Sequence, residues 1–483
     1  MSKKNSKTKK DIFHNEKALV LGLGLHGGGV ATAKWLVRHG AKVTVTDKRD
    51  RITLAPSVAA LKGLPVRFVL GKHEMSDFIK SDMIIVNPGV PRESEYLRAG
   101  AKAGARIEND ASLFFRYLLN PVIAVTGTRG KTTSTLWIAT LLSKKYKRVR
   151  PSGNTAENAF LKEFERVKGK RIPVVAEMSS WQLELLPVSK KAPHIAVITN
   201  LYPDHLNRYK GMQAYAKAKA NIFRHQHADD FLILNHGNEW TPFFLKQKQK
   251  STLLYFTSGK LKGAENGIYI QGGAAHFRFD GLTQRLFPVQ RFVSEHGMHN
   301  LENLLAAVLA VKLYDPGISV SERDILSLPL PRMREEIIVH TKKFLIVNDS
   351  CATSPDGTIA ALRRFSALGN VVLIAGGTDK SLEFETLSRE IKKLVQKGEL
   401  VLLEGSATTK LLTFLPTAFT HDTPLKTLAE CVARAFSIAS AHKQRTIILF
   451  SPGAASFEKF LHEFDRGERF NVLIKKTLEK TVR

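Results

Sequence analysis

Three consecutive α/β domains, each an open and mostly parallel sheet with helices on its faces, form the architecture this sequence predicts. Three observations predict it. The chain has 483 residues, which at roughly 100–200 residues per domain corresponds to about three domains. Short apolar runs of four to six residues alternate with longer helical segments along its length. Those runs are continuously apolar rather than alternating, the pattern of strands buried on both sheet faces.

In the first domain, expected over residues 16–120, Ala18–Leu23 is a strand, followed by a glycine-rich turn and a helix through about His39. Strands Lys42–Asp47, Val66–Leu70 and Met83–Val86 continue the βαβ alternation. Asn120-Pro121 marks the first boundary, because proline disfavours helix in the residue before it. The central domain, 121–329, opens with a strand at Val122 and a helix near Lys131, then strands Val174–Ala176, Ile195–Thr199 and Phe231–Leu234. Ser327–Pro331 is the second linker. Strands Phe344–Val347, Val371–Ala375, Val401–Leu403 and Thr446–Phe450 build the last domain, 330–483. Residues 1–15 read as a disordered basic tail, with five lysines in the first ten positions.

Composition narrows the functional classes. Hydrophobic residues make up 43% and charged residues 24%, a globular balance that excludes disordered and fibrous chains. No apolar run approaches the ~20 residues of a membrane-spanning helix, and the lysine-rich start lacks the apolar core of a signal peptide. Only two cysteines, Cys351 and Cys431, occur, as in a reducing compartment. A cytoplasmic protein is expected. Lysine and arginine (73) exceed aspartate and glutamate (44), giving a net charge of +29. That excess is compatible with nucleotide, acidic-membrane or nucleic-acid partners.

Two glycine motifs carry chemistry. Gly22, Gly24 and Gly27 form G-x-G-x-x-G between a strand and a helix, and Asp47 ends the next strand. Taken alone this is a dinucleotide fingerprint, but the same geometry serves any diphosphate. Asn87-Pro88-Gly89-Val90 ends another strand and should share the same carboxyl edge of the sheet. The stronger motif is Thr126-Gly127-Thr128-Arg129-Gly130-Lys131-Thr132-Thr133, directly after an apolar strand. Its glycines let successive N–H groups converge on phosphate oxygens. Lys131 should reach the terminal phosphates and Thr132 should offer its hydroxyl to Mg²⁺. Val125 stands where the common phosphate loop has glycine, so this is the shorter T-G-T-x-G-K-[ST] form.

With that loop, Glu177-Met178-Ser179-Ser180-Trp181-Gln182-Leu183-Glu184, Asp204-His205-Leu206-Asn207-Arg208-Tyr209 and His299-Asn300 resemble the Mur ligases of peptidoglycan synthesis. Gly376-Gly377-Thr378-Asp379-Lys380 and Ser451-Pro452-Gly453-Ala454-Ala455-Ser456-Phe457 carry the resemblance into the third domain, in family order from about Leu21 to Phe470. The resemblance implies a Rossmann-like first domain, a phosphate-loop ATPase centre and a Rossmann-like third domain. It implies ATP-driven amide formation, in which D-glutamate is joined to UDP-N-acetylmuramoyl-L-alanine through an acyl phosphate. ATP is then a co-substrate and Mg²⁺, as two ions, the cofactor; no NAD, flavin, stable nucleic-acid partner or membrane span is expected.

Residue by residue, the resemblance assigns catalysis to Lys131, Glu177, His205 and Lys219, and the metal to Thr132, Glu177, His205 and a carbamylated Lys219. It assigns ATP to Gly127, Thr128, Arg129, Gly130, Lys131, Thr132, Thr133, Asn300 and Asp349, with Arg332 and Arg334 both placed to meet the phosphates. The UDP-sugar falls to Gly24, Leu25, His26, Asp47, Lys48, Asn87, Gly89 and Asn154; the amino acid falls to Thr353, Lys380, Ser456 and Phe457. Lys219 is chosen over Lys217 for its spacing of one helical turn from Tyr215. The chain departs from the family at Arg129 (usually asparagine), Asn207 (usually aspartate) and Cys351 (often lysine). It also lacks a glycine after Gly153-Asn154-Thr155-Ala156 and carries Phe464 one residue out of register. The rival readings are an amide ligase with another amino acid or acting on folate, a polynucleotide-stimulated ATPase, and an NAD-dependent oxidoreductase. The last leaves the second glycine loop without a role.

Overall fold

A computed structural model describes residues 12–25, 27–91, 93–154, 158–206, 208–419 and 423–481, with the side chains of residues 299, 480 and 481 left aside. Three sheets account for its strands. The first is wholly parallel and runs β3-β2-β1-β4-β5, from β1 (Lys17–Leu21), β2 (Lys42–Asp47), β3 (Val66–Leu70), β4 (Met83–Val86) and β5 (Arg106–Glu108). Its strand order reverses at β1, which lies between β2 and β4. Ligands of open α/β sheets bind at such a reversal, outside the carboxyl ends of the strands.

The second sheet contains β6 (Val122–Thr126), β7 (Pro151–Gly153), β8 (Val174–Glu177), β9 (Ile195–Ile198), β10 (Phe231–Asn235), β11 (Thr252–Phe256), β12 (Gly267–Gln271), β13 (Ala274–Phe279) and β14 (Leu282–Pro288). They are ordered β14-β13-β12-β11-β10-β9-β6-β8-β7. Every residue of β6, β8 and β9 is buried, including the polar Thr126 and Glu177 at the carboxyl ends of β6 and β8, as expected of a sheet covered on both faces. Helix Lys131–Leu142 is buried nearly all round and packs on helix Met298–Tyr314. Strands β12 to β14 pair antiparallel, an extension not anticipated from the sequence.

The third sheet is β15-β16-β19-β17-β18, from β15 (Glu336–His340), β16 (Phe344–Asn348), β17 (Asn370–Ala375), β18 (Leu400–Leu402) and β19 (Thr446–Phe450). Only β15, at the edge, runs antiparallel. Side chains alternate between its faces: Leu345, Val347, Leu373, Ile447 and Leu449 belong to one apolar cluster, and Ile346, Val372, Ile374, Ile448 and Phe450 to the other. The chain gathers into two compact units, one of residues 1–202 and 211–328 holding the first two sheets, the other of residues 203–210 and 329–483 holding the third.

The expected basic tail ends earlier than residue 15. Residues 1–11 lie outside the described residues, but Phe13 is fully buried and its ring meets Trp35 at 5.4 Å and Tyr117 at 5.5 Å. Its backbone N–H donates to the His39 carbonyl at 2.9 Å, so aromatic packing anchors the chain there.

Candidate active site

The phosphate loop is held by groups on its inner side. A Cβ on Gly127 would lie 1.9 Å from Thr199 Oγ1, and one on Gly130 would lie 2.0 Å from Asn303 Oδ1. Backbone φ values of 152° at Gly127 and 78° at Gly130 favour glycine at both positions, and at Gly127 backbone atoms of Asn200 add to the crowding. The Thr199 hydroxyl donates to the Arg129 carbonyl at 2.6 Å, the Asn200 carbonyl accepts from the Thr128 N–H at 3.0 Å, and Asn200 Oδ1 accepts from the Arg129 N–H at 2.8 Å. Tyr202 N–H donates to the Thr128 hydroxyl at 3.0 Å. Gly127→Ala should therefore lower ATP affinity by about tenfold or more, since the loop must shift to admit the methyl group. Titration with a fluorescent ATP analogue measures this, and unchanged affinity would show that the loop tolerates the shift.

Lys131 opens the helix after the loop, and its Nζ lies 3.1 Å from the Gly127 carbonyl and 3.0 Å from that of Thr128. Under the loop lies Lys219, only 1% exposed, with Nζ 2.8 Å from the Gly127 carbonyl and 3.5 Å from Thr126 Oγ1, 4.6 Å above the Tyr215 ring. Glu177 ends β8 in register with Val125 on β6, and is 4% exposed. Asn154 Nδ2 donates to its carboxylate at 3.2 Å, while the Asn154 backbone N–H donates to the Glu177 carbonyl at 3.0 Å. Glu177 at the end of β8 and the loop after β6 thus lie at the carboxyl ends of adjacent parallel strands, with Lys219 against the loop. Asn300 is buried on helix Met298–Tyr314 and accepts from Asn303 Nδ2 at 3.1 Å, which ties it to the Gly130 turn.

The Glu177-to-Glu184 string has a second role that sequence reasoning missed. Ser179 and Gln182 form a reciprocal helix cap. The Gln182 carbonyl accepts from Asn109 Nδ2 at 2.9 Å, and its side-chain amide donates to Asp110 at 3.3 Å. The string therefore fastens helix Asp110–Tyr117, which follows the first sheet, to the second sheet. Burial pushes the Asp110 carboxyl up to about 6, against the hydrogen bonds from Ala111 and Gln182.

At the reversal of the first sheet, Gly22 approaches Asn87 so closely that a Cβ would lie 2.9 Å from the asparagine Cβ; its φ of 91° also favours glycine. Asn87 Nδ2 donates to the Gly22 carbonyl at 3.2 Å and Asn87 Oδ1 accepts from the Gly89 N–H at 3.2 Å. Asp47 Oδ2 accepts from the N–H groups of Leu23 at 2.9 Å and Gly24 at 3.2 Å. Arg49 adds a two-pronged ion pair, at 3.2 and 3.0 Å. Burial works to raise the Asp47 carboxyl, but these hydrogen bonds win and hold it below its usual range. The helix-packing glycine is Gly29, where a Cβ would lie 2.2 Å from the Leu23 carbonyl; Gly27 of the fingerprint is the N-cap. Leu25 is half-buried beside this turn and Lys48 is exposed; His26 lies outside the described residues.

In the second unit, Asp349 follows β16 and is buried. The Ser451 hydroxyl donates to its Oδ2 at 2.6 Å and the Glu335 N–H to its Oδ1 at 3.1 Å. Burial, then the neighbouring Glu335 charge, pushes its carboxyl up to about 8. A carboxyl raised in the folded state binds its proton more tightly there than when unfolded. It therefore makes stability fall as pH rises from about 4, the unfolded value, to about 8. Asp349→Asn should flatten that slope, measured by denaturant unfolding at pH 5 and pH 8; an unchanged slope would assign it to other groups. Arg466, missed from sequence, is fully buried and donates to the carbonyls of Ser350 at 2.7 Å, Ala454 at 3.0 Å and Ala455 at 3.1 Å. It joins the turns after β16 and β19, and nothing in its helical context marks it.

Ser456 is 3% exposed with a hydroxyl that has no hydrogen-bond partner among the described residues, whereas Phe457 beside it is 65% exposed and outside the core. Thr353 is half-buried, and Lys380 Nζ lies 3.9 Å from Asp204 Oδ1. Burial pushes the Cys351 thiol up to about 12, so it stays neutral where the family often has a cation. Arg332 is exposed and pairs with Glu468 at 2.7 Å; the Arg334 charge acts on Asp349. His205 has a left-handed backbone, φ 55°, with its N–H donating to Asp204 Oδ1 at 2.9 Å. Asn207 and the segment after Asn154 lie outside the described residues. Among the described residues, no group of three or more His, Cys, Asp or Glu side chains is placed to hold a metal, and no helix is long and apolar enough to cross a membrane.

Known proteins give this arrangement its context. Residues 16–109 match the Mur ligase MurD-like N-terminal domain and residues 125–311 the Mur ligase middle domain. A UDP-N-acetylmuramoylalanine–D-glutamate ligase of Roseiflexus sp. is 37% identical over 95% of this chain and 98% of its own length. An enzyme of the same name from Geobacter metallireducens is 33% identical over 94% of this chain and 96% of its own. Among solved structures, MurF from Acinetobacter baumannii shares the fold with a TM-score of 0.56 at 18% identity, covering 98% of this chain and 92% of its own. A type C pseudomurein peptide ligase of Methanothermus fervidus shares it with a TM-score of 0.53 at 18% identity, covering 96% of this chain and all of its own. A phosphate loop braced by Thr199, Asn200 and Asn303, with Glu177 and Lys219 beside it, thus sits in a sequence matched to these enzymes nearly end to end, and the chain belongs to the Mur ligase family of ATP-dependent ligases.

Proposed function

We propose that the protein joins D-glutamate to UDP-N-acetylmuramoyl-L-alanine at the expense of ATP, a step of peptidoglycan precursor synthesis in the cytoplasm. The observation that carries this reading is the near end-to-end 37% identity with a ligase of that name, together with the loop, Glu177 and Lys219 at one sheet edge. The lactoyl-alanine carboxylate oxygen attacks the γ-phosphorus and ADP leaves. The glutamate amine then attacks the acyl carbon, phosphate departs with the bond to oxygen, and the nitrogen loses a proton. Two anions must be brought together, so positioning and charge neutralisation dominate.

Within that scheme Lys131 and the loop N–H groups bind the terminal phosphates. Asn300 and Asp349 meet adenine and ribose, with Arg332 or Arg334 on the phosphates. The turn at Gly24 and Leu25, with Asp47, Lys48, Asn87, Gly89 and Asn154, receives the UDP-sugar. Thr353, Lys380, Ser456 and Phe457 receive the amino acid, and the orphaned, buried Ser456 hydroxyl supports that assignment. Mg²⁺ usually keeps several waters and takes one or two carboxylates plus substrate phosphates. Glu177 and Thr132 fit that donor set, His205 and a carbamylated Lys219 would complete it for two ions, and the metal would neutralise phosphate charge. The division into domains at 16–120, 121–329 and 330–483 is part of this reading; the presence of three sheets supports it, although residues 203–210 gather with the last of them.

ADP release measured with Mg²⁺, ATP and UDP-N-acetylmuramoyl-L-alanine tests the reading, with D-glutamate compared against L-glutamate, L-lysine, glycine and no amino acid. Release should require both the nucleotide sugar and D-glutamate. Dependence on the sugar with another amino acid would overturn the acceptor and direct attention to Cys351 and Phe464. Independence from the sugar, with stimulation by polynucleotide, would overturn the ligase reaction itself.

A further inference from the structure

The amino edge of the first sheet, opposite the Gly22 turn, holds a cavity of about 440 Å³. That is within the range of small-molecule sites, roughly 300–1,000 Å³. Its walls carry Lys17, Lys42, Arg67 and Lys80 against one carboxylate, Asp77. Lys17 and Lys42 are directly paired across β1 and β2, an in-register like-charge pair that costs stability. Asp77 is taken up by Arg67, and Asp82 at the margin accepts the Lys17 backbone N–H at 2.7 Å. Among the described residues, no carboxylate lies within ion-pair distance of the Lys17, Lys42 or Lys80 ammonium groups. Buried Ala18 and Val43 and exposed Pro65 also border it, and the Thr44 hydroxyl at its side accepts from Arg67 Nε at 3.4 Å.

Three lysines without an ion-pair partner among the described residues, bordering one concave surface, attract a multiply charged anion. We propose that this cavity binds a phosphorylated small molecule, its phosphate groups among Lys17, Lys42 and Lys80. The site lies at the amino ends of β1, β2 and β3, whereas the phosphate loop and the Gly22 turn lie at carboxyl ends. Its occupancy is independent of the ligase reading.

Site-resolved lysine acetylation of the full chain, with and without inorganic tripolyphosphate, tests this. Lys17, Lys42 and Lys80 should be protected roughly threefold or more in a saturable manner, while exposed Lys62, Lys102 and Lys397 should not. The same protection should persist in Lys131→Ala, which weakens the other phosphate site. A Lys17→Gln, Lys42→Gln, Lys80→Gln variant should keep wild-type ADP formation and its melting temperature. With a fluorophore on an introduced Ser81→Cys, the wild-type cavity should report saturable binding and the triple variant should not. The native Cys351 and Cys431 are buried, 5% and 0% exposed, so labelling would be selective. Equal protection of all six lysines would mean diffuse counter-ion binding and overturn the site, as would no protection. Protection by phosphatidylglycerol vesicles but not by tripolyphosphate would overturn a soluble ligand in favour of a lipid headgroup.

Discussion

Lys131→Ala is expected to reduce ADP formation by about three orders of magnitude or more, roughly 4 kcal/mol of transition-state stabilisation, while the protein stays folded. The side chain starts the helix after the loop, and its ammonium already lies within 3.1 Å of two loop carbonyls, where a phosphate oxygen would compete for it. Phosphoryl transfer gives the protein little covalent work, so a fixed positive charge on the terminal phosphates is among its largest contributions. The fold should survive because Gly127 and Gly130 are held by Thr199, Asn200 and Asn303 rather than by the lysine alone. A melting temperature within a few degrees of wild type would check that point. Lys131→Arg should recover little, because a planar fork on a longer stem does not replace a compact point charge. Turnover within tenfold of wild type in Lys131→Ala would remove the phosphate loop from the mechanism.

The loop itself was legible in the sequence, since strand, glycine turn, lysine and helix are contiguous and each constrains the next. The parallel sheets were legible for a similar reason: β6, β8 and β9 announce burial on both faces through three or four successive apolar residues. What braces the loop was not. Thr199 and Asn200 sit about seventy positions downstream and Asn303 farther still, and each is an ordinary polar residue until the fold places it against a glycine. The antiparallel run of β12 to β14 escaped because its outer strand is mostly exposed and interrupts its apolar residues with Thr283, Gln284 and Arg285. Gly29 outranks Gly27 in packing only because the turn after β1 presents the Leu23 and Gly22 carbonyls to it, and Arg466 matters only because two turns distant in sequence present carbonyls to it. Local patterns fix elements; partners across the fold fix the site.

Lys219→Met should lower turnover by about a hundredfold or more, and the cause can be separated from loss of a loop contact. The lysine is 1% exposed, with Nζ 2.8 Å from the Gly127 carbonyl and 4.6 Å above the Tyr215 ring. As an ammonium it steadies the loop and brings a third cation near the phosphates. Carbamylation combines the neutral amine with CO₂ and releases a proton, leaving one N–H and a carboxylate at the end of the chain. That remaining N–H could still donate to the Gly127 carbonyl, so the loop contact would survive while a hard oxygen donor is gained beside the phosphate loop, the donor type Mg²⁺ takes. The two chemistries differ in what they require. A carbamate makes wild-type activity fall on removal of dissolved CO₂ and return with bicarbonate, and gives a carbamate carbon signal after ¹³C-bicarbonate labelling that Lys219→Met lacks. Methionine conserves most of the buried volume, so misfolding is a small part of its effect. Activity indifferent to CO₂, with no labelled carbon, would return Lys219 to a cation that steadies the loop and remove it from the proposed metal ligands.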